Sequence, residues 1–144
     1  MAYSTLADLE KMIPAAILLQ LTNDAGTGTI DQTVIAEAIA SADAEINPYC
    51  GGLYVTPFTT VPPIVNKLSI DIAIYNLYSR KVEEIPKTRA DRYANAISQL
   101  KMNAKGDIPL GLSPADDTKV SQDGAASNKT VDDRTFTKDN LGGF

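Results

Sequence analysis

"PPIVNKLSIDIAIYNLYSRK", residues 62–81, has the pattern of a central helix around which the rest of this chain can pack. Pro63 can open a helix, because proline lacks only an N–H group that would have no partner in the first turn. Two apolar stripes then recur at helical spacing: Val65, Leu68, Ile72 and Tyr75 in one, and Ile70, Ile74 and Leu77 in the other. A helix that is apolar on nearly all sides must be covered on more than one side. We therefore predict a helix from Pro63 to about Val82.

Three helices are predicted before this stretch. Thr5 and Asp8 have the spacing of a capping box at the start of a short first helix. Pro14 ends that helix and can be the first residue of a second one, "PAAILLQL". Asp31 can cap a long third helix, which Gly51 and Gly52 end.

A fifth helix is predicted after Pro86, where Thr88 and Asp91 again have capping-box spacing, and Gly106 ends it. The segment "LYVTPFTTVPP" has three prolines among its eleven residues, which disfavours a central strand and favours an extended crossing. The predicted fold class is all-α: a small bundle of about four to five helices with an extended proline-rich crossing and a long, mostly irregular C-terminal tail. We expect a helical adaptor domain over residues 1–106 and a tail over residues 107–144.

The end of the chain is unusually poor in large apolar residues. Residues 113–144 contain five Leu, Ile, Val or Phe residues among 32, below the level of about 20% that is typical of chains that fold alone. Three of them, Phe136, Leu141 and Phe144, lie in the last eleven residues, "RTFTKDNLGGF". We predict that this closing segment becomes ordered only when it docks on a partner through those three side chains.

The charge of the chain excludes some classes of function. The formal net charge is −5, with −2 on residues 1–106 from 11 acids and 9 bases, and −3 on residues 107–144 from 7 acids and 4 bases. Affinity for nucleic acid comes largely from Lys and Arg, so this balance disfavours a protein whose main task is to grip DNA. No apolar run is long enough to cross a bilayer, and the first residues lack the pattern of a signal peptide, which predicts a protein kept in a cytoplasm.

The residues needed for common catalytic chemistry are missing. The chain has no histidine and one cysteine, Cys50. Nucleophiles of the Ser–His or Cys–His kind are therefore excluded, and a zinc site would have to be built from carboxylates. We therefore expect no catalytic residues, no metal site, no cofactor and no enzymatic activity. Cys50 is interpreted as a small buried side chain at a helix end.

Asp71 is the polar residue that the helical pattern explains least, because its neighbours on the fourth helix are apolar. It either faces outward or pairs with an arginine such as Arg80 or Arg92, or it forms an ion pair between subunits. The second apolar stripe of the same helix could also meet a neighbouring copy. The predicted subunit-interface residues are Ile70, Asp71, Ile74, Leu77, Tyr78 and Arg80.

Together with residues 62–81, the stretches "ADAEINPYCGGLYVTPF" (42–58), "RYANAISQLKMNAKGDIPLG" (92–111) and "RTFTKDNLGGF" resemble head-completion or head-to-tail adaptor proteins of tailed bacteriophages, of the kind found in Mu-like prophages. The resemblance runs from about residue 3 to 112 and resumes at the end. It implies a helical protein that docks beneath the portal as a ring, extends the DNA exit channel and offers a landing site for the tail.

The partners implied by the resemblance are other copies in a ring, predicted to be dodecameric to match the portal, the portal protein, and a tail or tail-terminator protein. DNA would pass through the lumen without specific binding, and no membrane is involved. The expected location is the virion neck, after assembly in the cytoplasm of the bacterial host.

The alternative is a phage helix-turn-helix DNA-binding protein, such as a small terminase subunit. A recognition helix needs basic and amide side chains concentrated on one face. The fifth helix has four bases that follow no single stripe, namely Lys87, Arg89, Arg92 and Lys101.

Overall fold

The computed structural model describes residues 1–81, 84–113 and 115 of the chain, and these residues form an all-helical unit. Five helices follow one another: α1 (Leu6–Glu10), α2 (Ala15–Thr22), α3 (Gln32–Cys50), α4 (Pro63–Ser79) and α5 (Lys87–Ala104). No strand occurs in this described part. The prediction of an all-α fold with four to five helices is therefore confirmed.

The predicted helix starts are confirmed where a side chain provides the cap. The Thr5 hydroxyl accepts a hydrogen bond from the Asp8 amide, and the Thr5 amide donates to Asp8 Oδ2 at 3.1 Å, which completes the capping box. Asp31 Oδ1 accepts from the amide of Thr33 at 2.8 Å and from that of Val34 at 3.4 Å. These bonds satisfy N–H groups that have no partner within the helix.

The later helix boundaries differ from the prediction in two places. Helix α4 begins at Pro63 as predicted but ends at Ser79, a little before Val82. Helix α5 begins at Lys87, with Pro86 at the N-cap and no side-chain cap, so the predicted capping box of Thr88 and Asp91 is wrong. The physical reason is that Pro86 sets the start of the helix, which places Thr88 inside the first turn.

Helix α4 forms the centre of the core and packs against both α3 and α5. Both of its apolar stripes contribute buried side chains, from Val65, Leu68 and Ile72 in the first stripe and from Ile74 and Leu77 in the second. The long helix α3 adds Ile35, Ile39 and Ile46 from the other side. The nearly all-round apolar character of α4 therefore follows from its being covered by its own chain. No described helix is both long enough and apolar enough to cross a membrane.

The crossing between α3 and α4 contains turns and bends and no strand, and it packs against the segment that follows α5. Tyr54 and Phe58 are buried, and the Leu110 amide donates to the Tyr54 hydroxyl at 3.1 Å. The Ala115 amide donates to the carbonyl oxygen of Leu53 at 2.9 Å. The chain directly after Gly106 therefore belongs to the same packed unit, while residue 114 and residues 116–144 lie outside the described part.

Candidate subunit interface

The residues predicted to meet a neighbouring subunit occupy different environments. Ile74 and Leu77 are 1% and 0% exposed and lie in the chain's own core. In a single copy these two side chains are already covered by the chain's own core, so they offer no surface to a neighbouring copy. Ile70 and Tyr78 are half-buried and Arg80 is exposed, so these three retain surface for a partner. The predicted tail contacts, Phe136, Leu141 and Phe144, lie outside the described residues.

Asp71 is buried, and its carboxylate is paired within the chain. Its side chain is 4% exposed, with Oδ1 at 3.3 Å from Arg92 Nη1 and Oδ2 at 3.4 Å from Lys67 Nζ. Arg92 was one of the two predicted partners, and the second cation is Lys67 from the preceding turn of α4. The alternative of an ion pair between subunits is not needed to neutralise this carboxylate.

Arg80 has another role. Together with Lys81 it binds the Asp24 carboxylate, and its Nη1 donates to the carbonyl oxygen of Leu21 at 3.1 Å. Hydrogen bonds from Lys81 and Arg80 lower the pKa of Asp24. These contacts hold the end of α4 against the end of α2, so Arg80 is partly used inside the subunit.

A polar groove lies between α4 and α5, with a volume of about 390 Å³. We call it the cationic groove; its lining residues are Lys67, Asp71, Arg92, Asn95, Ser98, Gln99 and Met102. Lys67 and Arg92 are 60% and 41% exposed, whereas the carboxylate between them is buried. The groove therefore presents two cations and several hydrogen-bonding side chains to solvent.

A second groove of about 460 Å³ runs along α3 beside the N-terminus, and its lining is mostly apolar. We call it the α3 groove; its lining includes Met1, Ala36, Ile39, Ala40, Ala44 and Pro57. The three alanines are four residues apart and exposed, so they form one row on the outer surface of the helix. Glu37 is exposed three residues before Ala40 and lies next to that row.

A polar network fixes the N-terminal segment across α3 and α4. The Tyr3 amide donates to Asp43 Oδ2 at 3.0 Å, and Ser69 Oγ donates to Asp43 Oδ1 at 3.0 Å. The Tyr3 hydroxyl donates to Asn47 and accepts from the Phe58 amide at 3.1 Å. Burial raises the pKa of Asp43, and it also raises that of Tyr3. No local pattern in the sequence indicates this network, because Tyr3 and Asp43 are 40 positions apart.

A tyrosine pair joins the three long helices. Tyr75 of α4 and Tyr93 of α5 stack with ring centroids 4.0 Å apart, and the Tyr93 hydroxyl donates to Glu45 of α3 at 2.8 Å. Burial, followed by the effect of Glu45, raises the pKa of Tyr93 to about 12. The relative positions of α3, α4 and α5 are therefore fixed by specific contacts as well as by apolar packing.

Cys50 is the remaining candidate for chemistry that the sequence offers. Cys50 is fully buried, and burial raises its pKa to about 11, which fits its interpretation as a packed side chain. Among residues 1–81, 84–113 and 115, no group of three or more His, Cys, Asp or Glu side chains could hold a metal ion.

The bases of α5 do not form one free face. Arg89 donates to the carbonyl oxygen of Met12 at 3.0 Å, and Arg92 pairs with Asp71. Lys87 and Lys101 are exposed. Two of the four bases that a recognition helix would need are thus in contact with the chain's own α1–α2 region and α4.

Comparison with known proteins identifies the family. A family model described as bacteriophage Mu, Gp36 matches residues 3–129, which include all five helices. The chain belongs to this family. A relative, the Mu-like prophage FluMu protein gp36 of Haemophilus influenzae, is 32% identical over 123 residues, and the alignment covers 85% of each chain. The resemblance to proteins of Mu-like prophages is thus confirmed, and the chain is a Mu-like phage protein.

Proposed function

We propose that this member of the Gp36 family is a structural head-to-tail adaptor, also called a head completion protein. It forms a ring that joins the portal to the tail and continues the DNA channel. The observation that carries the proposal is the family match over residues 3–129, because the matched region contains every helix on which the resemblance to phage adaptors depends.

The surface of the subunit supports assembly into a ring. A closed ring with head-to-tail contacts requires two different surfaces on each subunit. The cationic groove and the α3 groove are two such surfaces, and no residue lines both of them. A subunit with this surface can contact one neighbour on each side.

The proposed partners are other copies of the chain, the portal protein and a tail or tail-terminator protein, at the virion neck. The overall negative charge of −5 is compatible with a lumen through which DNA slides without binding. No chemical step and no cofactor form part of this role.

The decisive experiment is removal of the gene from a Mu-like prophage, followed by induction and electron microscopy. We expect filled heads and free tails that remain separate, and we expect purified protein added to the lysate to restore joined, infectious particles. Joined particles in the absence of the protein would contradict the proposal.

The closing segment provides a second test. Deletion of residues 134–144 is expected to leave the helical unit folded, because the last of the five helices ends at Ala104, and to lower the joining of heads to tails. Circular dichroism would report the fold and the same lysate assay the joining. Full joining activity of the truncated protein would show that Phe136, Leu141 and Phe144 have no docking role.

A gel-shift titration at several salt concentrations tests the DNA-binding alternative. We expect weak binding without sequence preference, because Arg89 and Arg92 already contact the chain itself. Tight binding to one DNA sequence would favour a small terminase subunit instead.

A further inference from the structure

We infer that the cationic groove of one copy receives the outer face of α3 from a second copy, with Glu37 of the second copy facing Lys67 and Arg92 of the first. This inference rests on the proposed function, since it names the contact from which the ring would be built. It assigns the partner surface by charge and shape.

The charge of the chain is divided between two of its parts. Residues 1–66, which contain α1, α2 and α3, have seven acidic residues and one basic residue, a net charge of −6. Residues 67–106, which contain nearly all of α4 and the whole of α5, have eight basic and four acidic residues, a net charge of +4. Arg80 and Lys81 pair with Asp24 within the subunit, and without these three residues the two parts still have net charges of −5 and +2. A subunit with one acidic part and one basic part attracts a second copy in a head-to-tail orientation.

The positive charges of the cationic groove are exposed to solvent. Asp71 is 4% exposed, so its negative charge lies at the bottom of the groove, whereas Lys67 and Arg92 extend into solvent on either side of it. The buried carboxylate holds the two cations in place, which reduces the side-chain entropy that they lose when they bind an acidic group. Asn95, Ser98 and Gln99 line the same groove and can form further hydrogen bonds.

The outer face of α3 has a shape that a second copy can approach closely. Ala36, Ala40 and Ala44 are exposed in one row, and short side chains allow another helix pair to approach closely. Glu37 lies next to this row and is exposed, so it can reach a neighbour's groove. Met102, which is 37% exposed in the cationic groove, can cover the alanines as an adaptable apolar contact.

The two surfaces are different, so the contact is heterologous and generates a ring when the rotation closes. The same contact predicts an unusual behaviour for mixed variants. Consider one variant with Glu37→Lys and a second with Asn95→Glu and Ser98→Glu. Each variant alone places like charges across the contact, whereas alternation of the two variants places opposite charges across every contact.

The test measures self-association of the full chain by analytical ultracentrifugation at about 0.1 M salt, over a range of concentrations. Asn95, Ser98 and Glu37 are all exposed, so these substitutions avoid the Lys67, Asp71 and Arg92 cluster that stabilises the fold. Each variant alone is expected to associate about tenfold more weakly than the wild type, and an equimolar mixture is expected to recover oligomers. Glu10→Lys is the matched control, because Glu10 is exposed on α1 outside both grooves and has the same charge change.

Salt provides an independent readout. About 1 M salt shortens the screening length from about 10 Å to about 3 Å, so wild-type association should weaken and the difference between wild type and Glu37→Lys should shrink. A wild-type protein that stays monomeric at every concentration would overturn the inference. So would unchanged association of the variants, or a mixture that behaves like its separate components.

Failure of this inference can be separated from failure of the proposed function. If the variants self-associate like the wild type and also join heads to tails, the proposed Glu37 contact is wrong and the adaptor role stands. A protein that forms alternating mixed oligomers but is dispensable for joining heads to tails would do the reverse.

Discussion

Helices α4 and α5 have similar lengths but opposite relations to the rest of the molecule. Eight of the seventeen residues of α4 are buried, five of them from the two apolar stripes, whereas only Ala96, Leu100 and Asn103 are buried among the eighteen of α5. Helix α4 is enclosed by its own chain, and α5 covers it from one side. The comparison teaches that apolar excess in a helix indicates how many sides are covered, but not whether a neighbouring subunit covers them.

The consequence for assembly concerns the nature of the contact. If α4 had kept one apolar stripe exposed, subunits would associate mainly through the hydrophobic effect and would tolerate high salt. Ile74 and Leu77 of the second stripe are already buried. The two grooves on the surface are instead lined by charged and polar side chains between α4 and α5, and by alanines along α3. Association is therefore expected to be sensitive to salt.

The largest change in the free energy of unfolding is expected for a substitution in the buried part of α4. Leu77→Ala on α4 removes a fully buried side chain and should lower the free energy of unfolding by about 2 to 5 kcal/mol. Met102→Ala on α5 removes a side chain that is 37% exposed and should change it by about 0.5 kcal/mol. Urea denaturation of both variants measures the difference. Equal losses would mean that α4 and α5 are covered to the same extent.

A smaller effect is expected for Tyr3→Phe, which tests how the N-terminal segment holds α3 to the crossing. The substitution removes the hydroxyl that donates to Asn47 and leaves the buried Phe58 amide without its acceptor. Urea denaturation is expected to show a free energy of unfolding that is lower by about 1 to 3 kcal/mol. Tyr78→Phe is a control on the half-buried side of α4, and a loss as large as that of Tyr3→Phe would show that the N-terminal network has no special role.

Asp71→Asn sharpens the assignment of the ion pairs to a single chain. The substitution weakens the contacts to Lys67 and Arg92. Because both cations are well exposed, the free energy of unfolding should fall by only about 1 kcal/mol. The loss should not depend on protein concentration, since all three groups belong to one subunit. A loss that grows with concentration would instead place a partner of Asp71 on a second copy. Asp91→Asn, an exposed change on α5, serves as the control.

The smallest effect is expected at the edge of the bundle, with Asp8→Asn in the capping box of α1. Hydrogen bonds from Thr5 and then Lys11 lower the pKa of Asp8 to about 2 from its usual 3.8. The charged form is thus favoured in the folded state, and its stabilisation is present above pH 3.8 and lost as the pH falls through 2. Near pH 6 the free energy of unfolding of the wild type should exceed that of Asp8→Asn by about 0.5 kcal/mol.

Thermal denaturation of the Asp8 pair over a pH series measures this difference. It should stay constant from about pH 7 to 5 and then shrink towards pH 2. A difference that widens with falling pH would mean that the carboxylate is not stabilised in its charged form.

Local signals in the sequence predicted the fold well. Thr5 with Asp8, Asp31, Pro63 and Gly106 marked element ends correctly, because capping and proline geometry depend on residues only a few positions apart. Gly106 has φ +83, a backbone conformation that favours glycine at a helix end. The Thr88 and Asp91 prediction was wrong for a local reason too, since Pro86 offers a competing start.

The candidate site was less predictable, because its contacts join distant parts of the chain. Tyr3 reaches Asp43 across 40 positions and Arg92 reaches Asp71 across 21. Periodicity along one helix reports which residues share a face, but it does not report the side chain that lies opposite. The sequence left open whether Asp71 faces outward, pairs with an arginine such as Arg80 or Arg92, or pairs with another subunit; the structure was needed to identify Arg92 and Lys67 as its partners.

The burial of Cys50 has a practical consequence for following this protein at work. With its pKa raised to about 11, the only thiol of the chain carries almost no thiolate at neutral pH and is shielded from reagents. A fluorophore can therefore be attached at one engineered position, such as Ser98→Cys, without first removing the native thiol. A dye at that position would report by its emission whether another molecule has covered the spot.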